Sequence, residues 1–584
     1  MKKIMNVVIL LVSMTIFQCC SAEDPITDNS GNAWGGNTDF GGNAGGSSAT
    51  SSGSGELLSF DIAIDKTSAE PSTDAAEYFP DEEDNLGNNQ FTTEVNIVFN
   101  GNTATYDQVS GVSISTDGAH VVANHGETKS ICYVVSGQTT AGSLTIVGDK
   151  KYEVKLAGAD ITNPDSTALN LLSKKRAYVV LSGTSKLADG TTSKAEDQKA
   201  ALYCKGKLLL NGTGQLEVYG NYNNAIHCAD YIVMRKGCNV YAKSTVNHGI
   251  KANDGIYVNG GILNVEVSGA TAKGINCESN IVVNGGRTTV ITTGNGAYED
   301  NEAKGAAAVK CDSTYTQNGG EVYLKSTGSG GKGLKTDYEA YINGGTLRVV
   351  TTGGTYSYSR DTASPKGIKI GEKNVHGLLN ISGGSIMVRT IGNGGEGIES
   401  KGTITVSDGT VKVSAYDDAI NSAGNMYIMG GDITAVGTGN DGLDANGNMY
   451  IQGGSIVAFG AGGAESGIDT GEQYRLYITG GQVFGIGGRI DATYTAIDDA
   501  QAYAQATGSV TANGTVVLSN SSTTLAQFTM PPYNYTNGTI LVSAPGMTNG
   551  TSYTLNLGST SQTVTGTTTS SNSGMEGGKP GGRW

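Results

Sequence analysis

Carboxylates recur at one fixed place in the later part of this chain: Glu396 and Glu399, Asp417 and Asp418, Asp441 and Asp444, then Glu465 and Asp469. Each group flanks a small-then-apolar pair: Gly397-Ile398, Ala419-Ile420, Gly442-Leu443 and Gly467-Ile468. In earlier segments the same flanking places hold Lys251, Lys273, Lys310, Lys332, Lys335, Lys366 and Lys369. If the segments stack, a basic row runs into an acidic row along one edge. Carboxylates a few ångströms apart repel, so they need a counter-ion or must take up protons. Calcium is the expected cofactor, because it takes about 6 to 8 oxygen ligands, turn carbonyls included. All eight carboxylates are candidate metal ligands, and a solvated acidic ridge is the plain alternative. Lys251, Lys310, Lys335 and Lys369 are the candidate contacts to an anionic ligand.

What must position these residues is a repeat. The small-then-apolar pair also occurs at Ala201-Leu202, Ala225-Ile226, Gly249-Ile250, Gly274-Ile275, Ala308-Val309, Gly333-Leu334 and Gly367-Ile368, at intervals near 24 residues with some longer members. Each unit then carries a glycine pair such as Gly344-Gly345 or Gly453-Gly454, with apolar residues at alternate positions on both sides. Period two across a turn means short strands with one buried face. The unit shows no helical period, and it is too short for a propeller blade. The expected fold is therefore all-β, a parallel β-helix of about 11–12 coils, roughly 55 Å long at the usual spacing between strands.

Cys204, Cys228, Cys277 and Cys311 all stand two places after the apolar anchor, where other units carry small residues. That shared column points to an interior thiol ladder in preference to disulfides. Longer units carry insertions at one corner, which place Tyr298, Tyr356 and Tyr358 where they could stack on sugar faces; ordinary loop decoration is equally compatible. Tyr427, Tyr450 and Tyr477 form a second aromatic column, of the kind that usually supports its own sheet. His227 and His248 stand alone, beside no obvious nucleophile.

Composition narrows the partners. A net charge of −16 argues against nucleic acid. The opening "MKKIMNVVILLVSMTIFQCCSAEDP" reads as a secretory signal with a lipidation site, Cys20 being preferred over Cys19, with ordinary cleavage after Ala22 as the alternative. The boundaries read as a signal over 1–20, a Gly/Ser/Asn tether over 21–55, an N-terminal cap and first coils over 56–165, the β-helix over 166–490, a C-terminal β-module over 491–566 and a disordered tail over 567–584. The expected product is a monomer, exported to the outer membrane or cell surface and attached there by its lipid alone.

The stretches "KAALYCKGKLLLNGTGQLEVYG", "NAIHCADYIVM", "HGIKANDGIYVNGG" and "ILVSAPGMTNGTSYTLNLG" resemble a family of exported bacterial carbohydrate-binding β-helix proteins, over about residues 90 to 560. The resemblance implies a right-handed, pectate-lyase-like parallel β-helix that binds calcium and plant-type polysaccharide, including cellulose and polygalacturonate, without established lyase activity. The lipoprotein head departs from that pattern and suggests surface display. The preferred reading is a surface carbohydrate-binding lipoprotein. The alternatives are a calcium-dependent pectate-type lyase, with Lys335 or Lys369 as base, and a structural adhesin.

Overall fold

A computed structural model describes residues 50–53, 57–72, 76–194, 197–372 and 375–569. The expected signal peptide, Cys20, nearly all of the tether and the tail beyond Thr569 lie outside the described residues. Among those described, helix is confined to two single turns, Glu82–Asp84 and Leu86–Asn88, and no helix is long and apolar enough to cross a membrane.

The rest is strand, wound into a parallel β-solenoid of about 15 turns. A typical coil has one strand in a 15-stranded sheet, such as Lys332–Thr336, and two in the larger sheet, such as Glu339–Ile342 and Thr346–Thr351. The anchors read from the sequence form a single in-register column, Leu202–Ile226–Ile250–Ile275–Val309–Leu334–Ile368–Ile398–Ile420–Leu443–Ile468. Every member is at most 4% exposed. Burying one such side chain is worth about 1.5–3 kcal/mol, and stacking repeats that gain at every coil. The column continues upstream through Val121, Leu144 and Leu169, so the solenoid begins earlier than the glycine-marked repeat. Ala168-Leu169 keeps the small residue before the anchor, whereas Ser143 and His120 stand in that place before Leu144 and Val121.

The glycine pair makes the corner between the two strands of the larger sheet. Gly345 sits at φ +77°, and a Cβ there would collide with the Gly319-Gly320 backbone of the preceding coil. A side chain at Gly344 would come within 2.8 Å of the Asn318 carbonyl oxygen. Beside these corners runs an asparagine ladder. The Nδ2 of Asn284, Asn318 and Asn343 each donates to the Oδ1 one coil earlier, at 2.9, 2.8 and 2.8 Å, and Ser382 Oγ closes the series on Asn343 at 2.8 Å.

Cys204, Cys228, Cys277 and Cys311 are buried free thiols in one interior column, with Ala252 between the two pairs. This matches the interior ladder expected from their spacing.

Both ends are covered, as exposed strand edges require. Ser113–Asp117 turns back antiparallel on Ala119–Asn124 at the start. At the far end Tyr533–Ser543 pairs antiparallel with the last coil strand, Gln482–Gly487, and with Tyr503–Val510. A four-stranded sheet follows, with its own core of Val516, Leu518, Phe528 and Leu555 packed against Phe459 and Phe484 of the solenoid.

Residues 57–91 form a strap along the outer face of the larger sheet, with its middle, 73–75, outside the described residues. Asp61 holds Lys325 at 2.6 Å, Lys66 holds Glu217 at 3.0 Å, Glu77 holds Arg235 at 2.6 Å and Asp84 holds Arg176 at 2.8 Å. Asp84 is fully buried and also accepts from the Tyr231 hydroxyl. Apolar spacing carries no sign of this segment.

Candidate functional site on the edge of the smaller sheet

Two columns of polar side chains run along the edge of the 15-stranded sheet. One contains Lys251, Asn276, Lys310, Lys335, Lys369, Glu399, Asn421, Asp444 and Asp469 in register. The other contains Lys273, Ala307, Lys332, Lys366 and Glu396, and continues through Asp418 and Asp441. Both change sign at the same step, Lys366 to Glu396 and Lys369 to Glu399.

The lysines of the first column are paired within the chain. Lys251 pairs with Glu278 at 2.8 Å, Lys310 with Asp312 and with Asp337 at 3.2 Å, and Lys335 with Glu372. Lys369 shares Glu372 at 2.8 Å. The four lysines expected to contact a ligand therefore already hold carboxylates of the chain. Those carboxylates sit in the next turn, two or three residues past the lysine or past its in-register partner, a recurrence the sequence reading did not use.

At the crossing, Lys366 Nζ lies 2.6 Å from Glu396 and 3.6 Å from Glu399, and Lys401 also holds Glu399. Burial works against the charge on Lys366, but the two glutamates outweigh it and hold its pKa above the usual lysine range. One oxygen of each glutamate, Glu396 Oε2 and Glu399 Oε2, is buried without a hydrogen-bond partner.

Beyond the crossing the carboxylates stand among themselves. Asp418, 4% exposed, is pushed up to about 9, first by burial and then by Asp444, Glu396, Asp417 and Asp441. Burial and neighbouring acids push Asp441 to about 8 and Asp444 to about 7. Asp469 goes to about 6, by burial and then Asp491. Burial also raises Glu465, against the pull of Arg489.

Asp418 and Asp441 also have a structural duty. Asp418 Oδ1 accepts the Asp441 N–H at 3.0 Å, and Asp441 Oδ1 accepts the Ser466 N–H at 2.6 Å. Asn224 does the same for the His248 N–H, and His248 Nδ1 for the Lys273 N–H, each at 3.1 Å. The column is thus a run of caps from one coil to the next, and His248, lowered to about 3 by burial and nearby lysines, is a neutral acceptor within it.

For calcium, the donor chemistry fits: oxygen ligands only, mutually raised carboxyls and two orphaned buried oxygens. Convergence is looser. Among the described residues no three His, Cys, Asp or Glu side chains are gathered closely enough to hold a metal ion. Main-chain carbonyls or water would have to complete any such site.

The expected corner insertions form two hairpins, Ala297–Glu299 with Glu302–Lys304 and Tyr356–Tyr358 with Asp361–Ala363. The Ala303 N–H donates to Asp361 Oδ2 at 2.6 Å, which ties one hairpin to the other. Tyr298 and Tyr358 stack with centroids 4.3 Å apart and remain 40% and 51% exposed. Tyr356 is half-buried, beside Gly296. Tyr427, Tyr450 and Tyr477 also stack, at 4.9 Å, but two of their hydroxyls accept from Asn425 and Asn448 in the same coils. That ladder supports its sheet.

Lys332 belongs to the basic row read from the sequence but is not among the candidate ligand contacts. It is 8% exposed, its Nζ donates to the Gly330 carbonyl at 2.7 Å, and burial together with Lys369, Lys335 and Lys366 lowers it to about 7.

Fold and site together define a β-solenoid with a polar, partly aromatic edge. Two overlapping stretches, residues 116–272 and 239–394, match a family described as carbohydrate-binding domain-containing protein. A curated relative of that description from Acetivibrio thermocellus is 29% identical over 146 residues, 23% of this chain and 49% of the relative, so the chain spans about half the length of the relative it matches. A solved structure described as a polysaccharide lyase-like protein from C. thermocellum, in a gadolinium derivative, is 18% identical and covers 57% of this chain and 97% of its own, with a TM-score of 0.25. The hairpins lie inside the second matched stretch, and the acidic residues begin just past its end.

Proposed function

We propose that this chain is a carbohydrate-binding protein that holds a plant-type polysaccharide, polygalacturonate or a cellulose-like chain, against the outer edge of the solenoid. The observation that carries the reading is the exposed Tyr298–Tyr358 stack on two interlocked hairpins, inside residues that match a carbohydrate-binding family. Flat aromatic faces suit the C–H faces of sugars, and the hairpin tie fixes them before a ligand arrives. Asp418, Asp441, Asp444 and Asp469 are the residues that would hold calcium, which would supply positive charge toward an acidic polymer. The paired lysines stiffen the edge.

Display at the cell surface belongs to the same reading, through a lipid on Cys20 and the tether. Metabolic labelling with palmitate checks it: the label should be lost in Cys20→Ala. Binding to an array of plant polysaccharides, in calcium and in chelator, tests the function itself. Retention of acidic or cellulose-like glycans is expected, and no retention in either condition defeats it.

A second reading, a polysaccharide lyase, is favoured by one arrangement: Lys332 is buried beside Lys335, Lys366 and Lys369 with its Nζ on the Gly330 carbonyl, and that setting lowers its pKa toward neutrality. An amine partly neutral near pH 7 can take a proton from the carbon beside a uronate carboxyl. Lys335 and Lys369, held by Glu372, are less suited to that task. Sustained growth of ultraviolet absorbance from unsaturated products would establish this reading; a flat trace with Lys332 intact excludes it.

A further inference from the structure

The strap runs against the order of the coils. It starts at the C-terminal module, where Thr50–Gly53 pairs antiparallel with residues Tyr533 to Thr536 and Leu57 packs against the module's core. Along the solenoid Phe60 lies 5.7 Å from the Arg348 guanidinium, Asp61 holds Lys325, and the Asp65 carbonyl accepts from Asn264 at 3.3 Å. Glu70 then accepts the Gly237 and Gly261 N–H groups, at 2.8 and 2.5 Å. Glu77 holds Arg235, and the Tyr78 main chain exchanges two hydrogen bonds with the Asn259 side chain, at 2.9 and 2.8 Å. Last, Arg176 takes Asp81, Glu83 and Asp84 at 2.7, 3.0 and 2.8 Å. Beside it Phe79, Leu86 and Phe91 pack on Tyr178 and Tyr231, in a cluster separate from the solenoid core. Only then does Thr93–Asn100 enter the solenoid, paired with Ile131–Thr139. The chain thus reaches the start of the solenoid from its far end, tied to the coils along the way.

We propose that the strap is a load-bearing clasp, which passes a pull on the N-terminal side of the chain to many coils at once instead of to the first coil. The inference rests on the surface-display reading above, in which the N-terminal side is anchored and the bound polymer supplies the pull. A coil of a solenoid is held by its neighbours alone, so the terminal coil is the one that frays. Were the chain to enter the first coil directly, a pull would peel Thr93–Asn100 from the edge and then each coil in turn. With the strap in place, a rod drawn into line with the force loads the strap contacts along their length, and contacts loaded together must fail together. Thr93–Asn100 feels no pull until Asp84, fully buried on Arg176 and Tyr231, lets go.

The test is constant-force spectroscopy on the full chain, held by its N-terminus and by a peptide tag inserted at the exposed Asp300-Asn301 turn, where the polymer is proposed to bind. In wild type a single long-lived step should free residues 50–91, and coil-sized steps of about 24 residues should follow it. Glu77→Gln and Asp84→Asn should each shorten the lifetime of the first step about tenfold or more and leave the later steps unchanged. Because Glu77 lies at the surface of the strap, that variant remains informative even if Asp84→Asn folds poorly. Coil-sized steps that precede release of residues 50–91 overturn the clasp, as does a first-step lifetime equal in wild type and Glu77→Gln. Absence of palmitate label from the wild type instead overturns the display reading, and with it the clasp's role at an anchor, whatever the force record shows.

Discussion

Tyr298 and Tyr358 stack at 4.3 Å with their planes 24° apart, although each stands on a separate insertion in a different coil. The stack and the Ala303–Asp361 hydrogen bond tie the two hairpins to each other, and Ala303 and Ala363 are buried at their bases.

If these rings bind sugar, Tyr298→Ala and Tyr358→Ala should each lower glycan affinity roughly 3- to 10-fold, the range for one aromatic contact. The double variant should lose less than the product, because removing one ring already disturbs its neighbour. Calorimetry against the retained glycan checks this. A lower melting midpoint with unchanged affinity would make the rings mere supports of the hairpins.

The acidic columns predict a calcium effect that grows with pH. Asp418, Asp441, Asp444 and Asp469 have folded-state pKa values of about 9, 8, 7 and 6, above an unfolded value near 3.8. A raised carboxyl stabilises the folded state below its unfolded pKa, and that contribution is lost as pH rises through the folded value. His227 and His248, lowered to about 4 and 3, act in the opposite sense below the ordinary histidine pKa, and Lys332 and Lys273, lowered to about 7 and 8, do so above neutrality. The informative quantity is therefore the difference between melts in calcium and in chelator. It should be small at pH 5.5 and several degrees at pH 8, since calcium must displace protons from these groups.

Asp441→Asn separates the cap from the charge. Asparagine can still accept the Ser466 N–H but removes one buried carboxylate. In chelator at pH 8 the variant should melt on the order of 1–3 °C higher than wild type, and in calcium that advantage should vanish. A variant that melts lower in chelator would show the carboxylate to be a stabilising cap only.

The glycine corners make a sharper stability prediction. Gly345→Ala combines a positive φ with a backbone collision, whereas Gly101→Ala has φ +60° and open space around the new methyl. The second change should cost about 1–2 kcal/mol from backbone strain alone, and the first clearly more. Thermal melts of both variants give the comparison, and equal losses would mean that contact between coils does not constrain the corner.

How much of this could be read from the chain depended on periodicity. The Leu202-to-Ile468 column, the cysteine ladder and the sign change from lysine to carboxylate all repeat every coil, and repetition converts sequence position directly into register. What escaped lacked that period. Val121 and Leu144, preceded by His120 and Ser143, belong to the same column without the Gly/Ala signature, so the solenoid is longer than the repeat suggested. Glu278, Asp312, Asp337 and Glu372 do recur two or three residues past the lysine column, but which lysine each one holds needs side-chain directions that spacing does not supply. The strap along the larger sheet and the hairpin stack arise from contacts between distant segments, for which a single sequence has no signal.

The central claim is that a polysaccharide binds the outer edge through the hairpin tyrosines. Calorimetric titration of polygalacturonate and of a soluble cellulose-like glycan into wild type and the Tyr298→Ala/Tyr358→Ala double variant, each with calcium and with chelator, tests it most directly. The account predicts saturable binding of at least one glycan by the wild type, a loss of roughly tenfold or more in the double variant, and tighter binding of the acidic glycan in calcium. Wild type and double variant binding equally, or neither glycan binding at all, would contradict it.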